Sequence, residues 1–293
     1  GPYAAGIVNR IGARSMTEVN AQVGQQLTQR VRDTLAATPQ GTPAPQISGA
    51  AQLTLAQPIQ MVEQDWRPLS KDAGMGLTAF FYALLILMAG VVGAMVIHTM
   101  VDAQLGFQPT DYGPWYVHYP PTPISRSRTL LIKWGVMVLV AVVISALYLL
   151  IAKILGVSGD HSTQLFLFSV LALIAVGLTC LASLAAFGTA GLLINLAVFV
   201  ILGLPSSSGT VPIQAIPTYI SWLAEFEPMH QVYLGVRSIL YFESDYTAGL
   251  GRGIWMSLLG LLIALVGGVA VTKYYDYRGL HRENLLDRKK TAA

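Results

Sequence analysis

Five blocks of apolar residues, each close to the length that crosses a bilayer, limit what this chain can become more than any other feature. They run over about 76–100, 130–155, 165–184, 186–204 and 254–272. A helix needs about 20 residues to cover a hydrocarbon core about 30 Å thick. Lipid offers no partner to a backbone N–H or C=O, so such blocks must fold as helices. Composition agrees, with 54% hydrophobic and 11% charged residues and a mean hydropathy of +0.56, where soluble domains carry about 25% charged residues. The expected class is an all-α polytopic membrane protein. The third and fourth blocks meet at "AAFGTAG", which predicts a tight helical hairpin.

Lys and Arg placement sets the expected orientation, because positive short loops stay on the cytoplasmic side. The tail "KYYDYRGLHRENLLDRKK" is basic and the 101–133 connection holds Arg126, Arg128 and Lys133. The 156–164 loop has no Lys or Arg, and 205–253 has only Arg237 and Arg252. The C-terminus, a basic tail over 276–293, is therefore expected inside, residues 1–73 and 205–253 outside, and the 101–129 loop inside. No start Met, basic n-region or apolar signal core precedes residue 74. An earlier span and more of an external domain are expected upstream of residue 1, although the leading Gly-Pro fits an expression scar equally well.

Within the external segment, Val8, Ile11, Met16, Val19, Val23, Leu27, Val31 and Leu35 recur at helical spacing and predict an amphipathic helix over 4–35. "TPQGTPAPQISG" reads as a linker and "AQLTLAQPIQMV" as a short strand. Cys180 lies inside a span, so no disulfide framework is available. The net charge of +3 comes mostly from the tail and suits anionic lipid rather than nucleic acid.

No catalytic or cofactor motif emerges. Ser206, Ser207 and Ser208 lack the G-x-S-x-G context of a nucleophile elbow, and the chain has no Gly-Lys pair from which to build a phosphate loop. His98, His118, His161, His230 and His281 lack metal-ligand spacing and read as interfacial. Neither an enzyme nor a metal site is expected. Lys133 and Lys153 sit where they can snorkel and His98 lies near a helix end, so the spans read as free of central charges, which disfavours a proton- or sodium-coupled carrier. Ala89 with Gly93, Ala264 with Gly268, and Gly177 permit close helix packing or a dimer face, and Asn195 can bond a neighbouring helix.

Between the fourth and fifth blocks the chain changes character. Pro205 ends a helix, and Ser206, Ser207, Ser208 and Gly209 form a turn. Ile213, Ile216, Ile220 and Leu223 make one apolar face. Val232, Val236, Ile239 and Leu240 make another after the Glu227–Pro228 break. Two apolar-faced helices too short to span predict a re-entrant or interfacial hairpin over 205–245. Arg237 within it is expected to pair with Glu225, Glu227 or lipid phosphate.

The stretch "LPSSSGTVPIQAIPTYISWLAEFEPMHQVYLGVRSIL", with its Gly235-Val236-Arg237 step, resembles the segment between the last two helices of type-2 ABC exporter permeases. The likeness is to the YhgE/phage-infection-protein group and related fungal nitrosoguanidine-resistance proteins. "LAQPIQMVEQDWRPLSKDAGMGLTAFFYALLILMAG" resembles that group's re-entry from the external domain, and "ISRSRTLLIKWGV" its basic run before the next helix. The resemblance covers most of residues 53–275 and implies a six-helix permease bundle, over 74–275 here, in a bacterial cytoplasmic membrane. It also implies a separate ATPase subunit and a dimer or hetero-oligomer with a lateral path for lipid-like molecules. The Ser125, Arg126, Arg128 and Lys133 run would receive force, and the serine turn with Arg237 would lie at the outer exit. The 101–129 loop, with Trp115, Tyr116 and Tyr119, departs from a coupling helix and reads as irregular and interfacial. Two functions stay open: an export permease, and a non-transporting envelope scaffold or phage receptor.

Overall fold

The computed structural model describes residues 2–37, 59, 74–157, 161–211 and 213–280. It divides into two compact units, Gly1–Pro68 and Leu69–Ala293.

In the first unit, α1 (Pro2–Ala36) forms over the predicted helical repeat. The side-chain amide of Asn20 meets both backbone groups of Ile59, accepting from its N–H and donating to its carbonyl, each at 3.0 Å. An amide pairing of this kind imitates a strand neighbour. The predicted strand lies, apart from Ile59, outside the described residues.

The second unit is a helix bundle. Among the described residues, four helices are long and apolar enough to cross a membrane: α2 (Thr78–Gln104), α3 (Arg126–Ile154), α4 (Ser162–Phe187) and α8 (Gly251–Tyr277), the last extended by a π turn at Tyr246–Leu250. About two thirds (67%) of the most apolar stretch of α4 is buried, against 44% in α2, 22% in α3 and 17% in α8, so α4 is the central post. Polar cross-links tie the others to it. Tyr82 bonds Ser169 (3.1 Å) and Trp134 Nε1 donates to the Leu178 carbonyl (3.3 Å). The Tyr275 hydroxyl reaches the Ala186 carbonyl at 3.0 Å. Leu139, Val143, Leu147, Ile263 and Val266 face outward and are exposed. An apolar exterior around a packed interior is what a lipid-facing bundle requires.

Two expectations change. The fourth block does not form a fourth long span. Its helix α5 (Ala190–Ser206) is shorter and is interrupted by a π segment at Leu196–Leu202. The hairpin turn before it is as predicted, made by Gly188 at φ 61°. Asn195 donates to the Cys180 carbonyl at 3.2 Å, holding α5 against α4. The 101–129 connection is not irregular throughout, because β1 (Thr110–Tyr112) and β2 (Trp115–Val117) pair antiparallel around Gly113 at φ 62°. Tyr112, Trp115 and Tyr116 stand exposed on this hairpin.

After α5 come α6 (Thr218–Ala224) and α7 (Pro228–Tyr241), broken at Glu227–Pro228 as predicted. α7 buries Met229, Val232, Tyr233, Val236 and Ile239 in the core that α2, α4 and α8 share, while Tyr219 and Trp222 of α6 remain exposed.

At the opposite end, Asp276 of α8 caps the start of α3. It accepts from the backbone N–H groups of Arg126 (2.9 Å) and Ser127 (3.1 Å) and from the Ser127 hydroxyl (2.7 Å). A carboxylate at a helix N-terminus satisfies otherwise unpaired donors and complements the helix dipole. Asp276→Ala is therefore expected to cost about 1–2 kcal/mol, with faster hydrogen exchange at the first turn of α3. Unchanged exchange there would show that the cap is dispensable.

Candidate functional site

Of the predicted residues, the Pro205–Gly209 turn and Glu227–Pro228 come together at the start of α7, and Arg237 does not join them. Ser206 and Ser207 are buried and their hydroxyls turn back onto their own helix. Ser206 donates to the Leu202 carbonyl (2.7 Å) and Ser207 to that of Leu204 (2.8 Å). Bonding back to a carbonyl three or four residues earlier lets each buried hydroxyl be satisfied without a second element. Ser208 turns the chain at φ 56°, and Gly209 then passes Phe80 so closely that a Cβ there would lie 2.1 Å from its ring.

His230 fastens this turn to α7. Its Nδ1 lies 3.0 Å from both the Ser207 carbonyl and Ser208 Oγ. A carbonyl can only accept, so Nδ1 carries the proton and cannot act as a base toward Ser208. Glu227 Oε2 accepts from the His230 backbone N–H at 2.9 Å and does not touch the ring. The group is a structural clasp and lacks the connectivity of a nucleophile with its base.

Glu227 caps α7, with Pro228 at the first helical position. Its Oε1 is buried without a hydrogen bond of good geometry, and a Cβ on Gly203 would stand 2.7 Å from it. Burial pushes this carboxyl up to about 7, against the pull of the Met229 and His230 N–H groups and the Ser206 hydroxyl. Burial also lowers the His230 ring, against the pull of the Ser207 carbonyl.

These shifts act with opposite sign. Between pH 4.5 and about 7 the folded chain holds a proton on Glu227 that the unfolded chain releases, so stability falls as pH rises through that window. His230 binds its proton more readily when unfolded, so its contribution grows as pH rises. Comparison with Glu227→Gln isolates the carboxyl. The unmodified protein should lose about 3 kcal/mol relative to the variant across the window, read from denaturation midpoints in detergent. Parallel curves would place Glu227 in contact with water.

Arg237 does not pair with Glu225 or Glu227. Its guanidinium lies over the rings of Tyr233 (5.8 Å) and Phe242 (5.5 Å), and Nη2 donates to the Ala248 carbonyl at 3.4 Å. Rings and a carbonyl replace a carboxylate because α7 carries Arg237 toward the π turn before α8, away from α6. Glu225 instead pairs with Arg252, whose Nε also donates to Gln231 at 3.1 Å. No local pattern marks Arg252, because its partner Glu225 lies 27 residues away. Leu234, Tyr246, Thr247, Gly249, Arg252 and Trp255 line an open cleft of about 500 Å³ beside it.

The predicted basic run lies at the other end and does not act as one group. Ser125 caps α3, its Oγ accepting from the Arg128 N–H at 3.3 Å. Arg126 Nε donates to the Leu280 carbonyl at 2.7 Å and its guanidinium lies 5.2 Å from the centre of the Tyr275 ring. Arg128 is exposed. Lys133 does not snorkel: it is buried and meets Asp102 and His98 of α2. Its side chain faces the α2–α3 seam, where Asp102 Oδ1 lies 2.6 Å from its Nζ.

The bundle defines an all-α polytopic membrane protein, with a small β hairpin on one connection. A family model described as a protein of unknown function, DUF3533, matches residues 5–266, and the chain belongs to that family. Comparison with curated proteins and with solved structures returned no match.

Proposed function

We propose that this chain is an export permease that moves a hydrophobic or lipid-like molecule outward across the membrane. One observation supports this reading above others. A pair of short helices folds back over one end of an apolar bundle, beside an open cleft that combines Trp255, Leu234 and Arg252. Aromatic and aliphatic walls suit an acyl or other apolar body, and a guanidinium suits an anionic headgroup. On this reading α6 and α7 lie at the outer face, and the resemblance to type-2 ABC exporter permeases assigns the energy to a separate ATPase subunit meeting the Ser125–Arg128 segment.

The test is to purify the protein from its native membrane, identify co-purifying ATPases, and reconstitute it with fluorescent lipids. ATP-dependent movement that Trp255→Ala slows is expected. Vesicles that show no such movement, together with preparations lacking any ATPase, would overturn the proposal. A second reading, an envelope scaffold or receptor that presents its N-terminal unit, draws on Val8 and Ile11 of α1, which are apolar and exposed. It requires deletion of 1–68 to abolish function while the bundle still folds.

A further inference from the structure

The end of the bundle where α2 finishes and α3 begins holds a group of ionisable side chains that neither the cleft nor the serine turn uses. His98 and Asp102 lie one turn apart on α2, and Lys133 reaches them from α3. Lys133 Nζ is 2.6 Å from Asp102 Oδ1 and 2.9 Å from His98 Nδ1, and His98 Nε2 is 3.3 Å from Asp102 Oδ2. All three are buried. Lys133 is seven residues into α3, about 10 Å from its start, which places the group near the edge of the hydrocarbon.

The geometry determines where the protons are. An ammonium has donors only, so His98 Nδ1 accepts from Lys133, and the ring proton sits on Nε2, facing Asp102. Nδ1 is then the atom at which the neutral ring can take a further proton. Adding one sets two donors face to face at 2.9 Å and leaves an extra positive charge among three groups withdrawn from water. Lys133 must then leave the ring while keeping Asp102.

We propose that His98, Asp102 and Lys133 form a proton-binding site in which uptake at His98 Nδ1 releases the contact that Lys133 makes with the ring across the α2–α3 seam. The proton comes from water at this end of the bundle, and the only bond formed is N–H. The site stands on these three side chains and is independent of the export reading.

The other ionisable groups among the described residues at this end are engaged or exposed. α4, which packs against both helices, carries no Asp, Glu, Lys, Arg or His, and its Cys180 is buried. On α8, Asp276 holds the start of α3, Tyr275 bonds the Ala186 carbonyl, and Lys273 is exposed. On α3, Arg126 bonds the Leu280 carbonyl and Arg128 is exposed. On the connection, His118 meets the Gly106 carbonyl at 3.2 Å and Asp111 is exposed.

The experiment is a pH titration of the full chain in lipid nanodiscs, followed by NMR of ¹⁵N-labelled histidine rings and lysine ammonium groups. His98 is assigned through His98→Gln or, should that variant fail to fold, through its contact to Lys133 in the unmodified protein. A neutral His98 protonated at Nε2 is expected at high pH. On acidification it should become doubly protonated, and the Lys133 signal should move at the same midpoint. A neutral tautomer protonated at Nδ1, a ring that stays neutral throughout the stable range, or a Lys133 signal that ignores the His98 transition would each overturn the proposal.

Discussion

Lys133→Met is expected to destabilise the bundle by about 3–5 kcal/mol, the cost of stranding a buried charge whose partner has been removed. Lys133 is 2% exposed and its ammonium is the counter-charge of Asp102 at 2.6 Å. A methionine fills nearly the same volume, so the loss comes from the carboxylate left behind rather than from a cavity. Asp102→Asn combined with Lys133→Met removes both charges and should recover most of the loss, to within about 1–2 kcal/mol of the unmodified protein, as uncharged replacements of buried pairs do. Denaturation in a fixed detergent reads both variants. If Lys133→Met alone left stability unchanged, Lys133 would be reaching water or headgroups, as its place near a helix end suggests.

The second large effect is expected at Gly235. A Cβ there would stand 2.2 Å from Phe168 Cζ, and one on Gly253 would stand 3.1 Å from the same atom and 2.9 Å from the Gln231 carbonyl. The backbones of α7 and α8 therefore close on one aromatic ring of α4, without room for a methyl group. Gly235→Ala should cost about 1–3 kcal/mol through overpacking and raise hydrogen exchange along α7. Phe168→Leu in the same chain should relieve the clash. Normal stability for Gly235→Ala would mean that the ring swings aside, and that α7 is less tightly seated than the contact implies.

Much of the architecture is legible without coordinates because apolar length and period are local properties. Four of the five predicted spans form long helices, with ends shifted by a few residues. The Gly188 turn and the Glu227–Pro228 break fall where Gly and Pro chemistry puts them. The fourth block was read too long because hydropathy does not register a π segment, which depends on how Leu196–Leu202 settles against its neighbours. The prolines of the 101–129 connection give it an irregular reading and mask a six-residue pairing around Gly113–Pro114.

The site residues were only partly legible. Ser206 to Gly209 and Glu227 were marked by composition and do converge, but the residue that joins them, His230, gave no signal beyond being a histidine. For Arg237 the sequence offers Glu225, Glu227 or lipid phosphate, and helix direction takes it from both carboxylates to Tyr233, Phe242 and the Ala248 carbonyl. The apolar run by itself gives a first span ending at Met100, which leaves the charged group at the other end without a signal. With α2 continuing to Gln104, Asp102 falls one turn beyond His98 on the same helix, a spacing that would have flagged the pair.

Membrane class, helix count to within one, and the fold-back after Pro205 were settled by the sequence, since each depends on neighbours along the chain: apolar length, a missing N–H, a glycine at positive φ. Which charges are buried together, and hence whether Lys133 meets lipid or Asp102, belonged to the tertiary structure alone. That choice depends on two side chains 35 residues apart in sequence meeting across the α2–α3 seam, and an ammonium at a given depth takes whichever partner, water or carboxylate, the packing brings within reach.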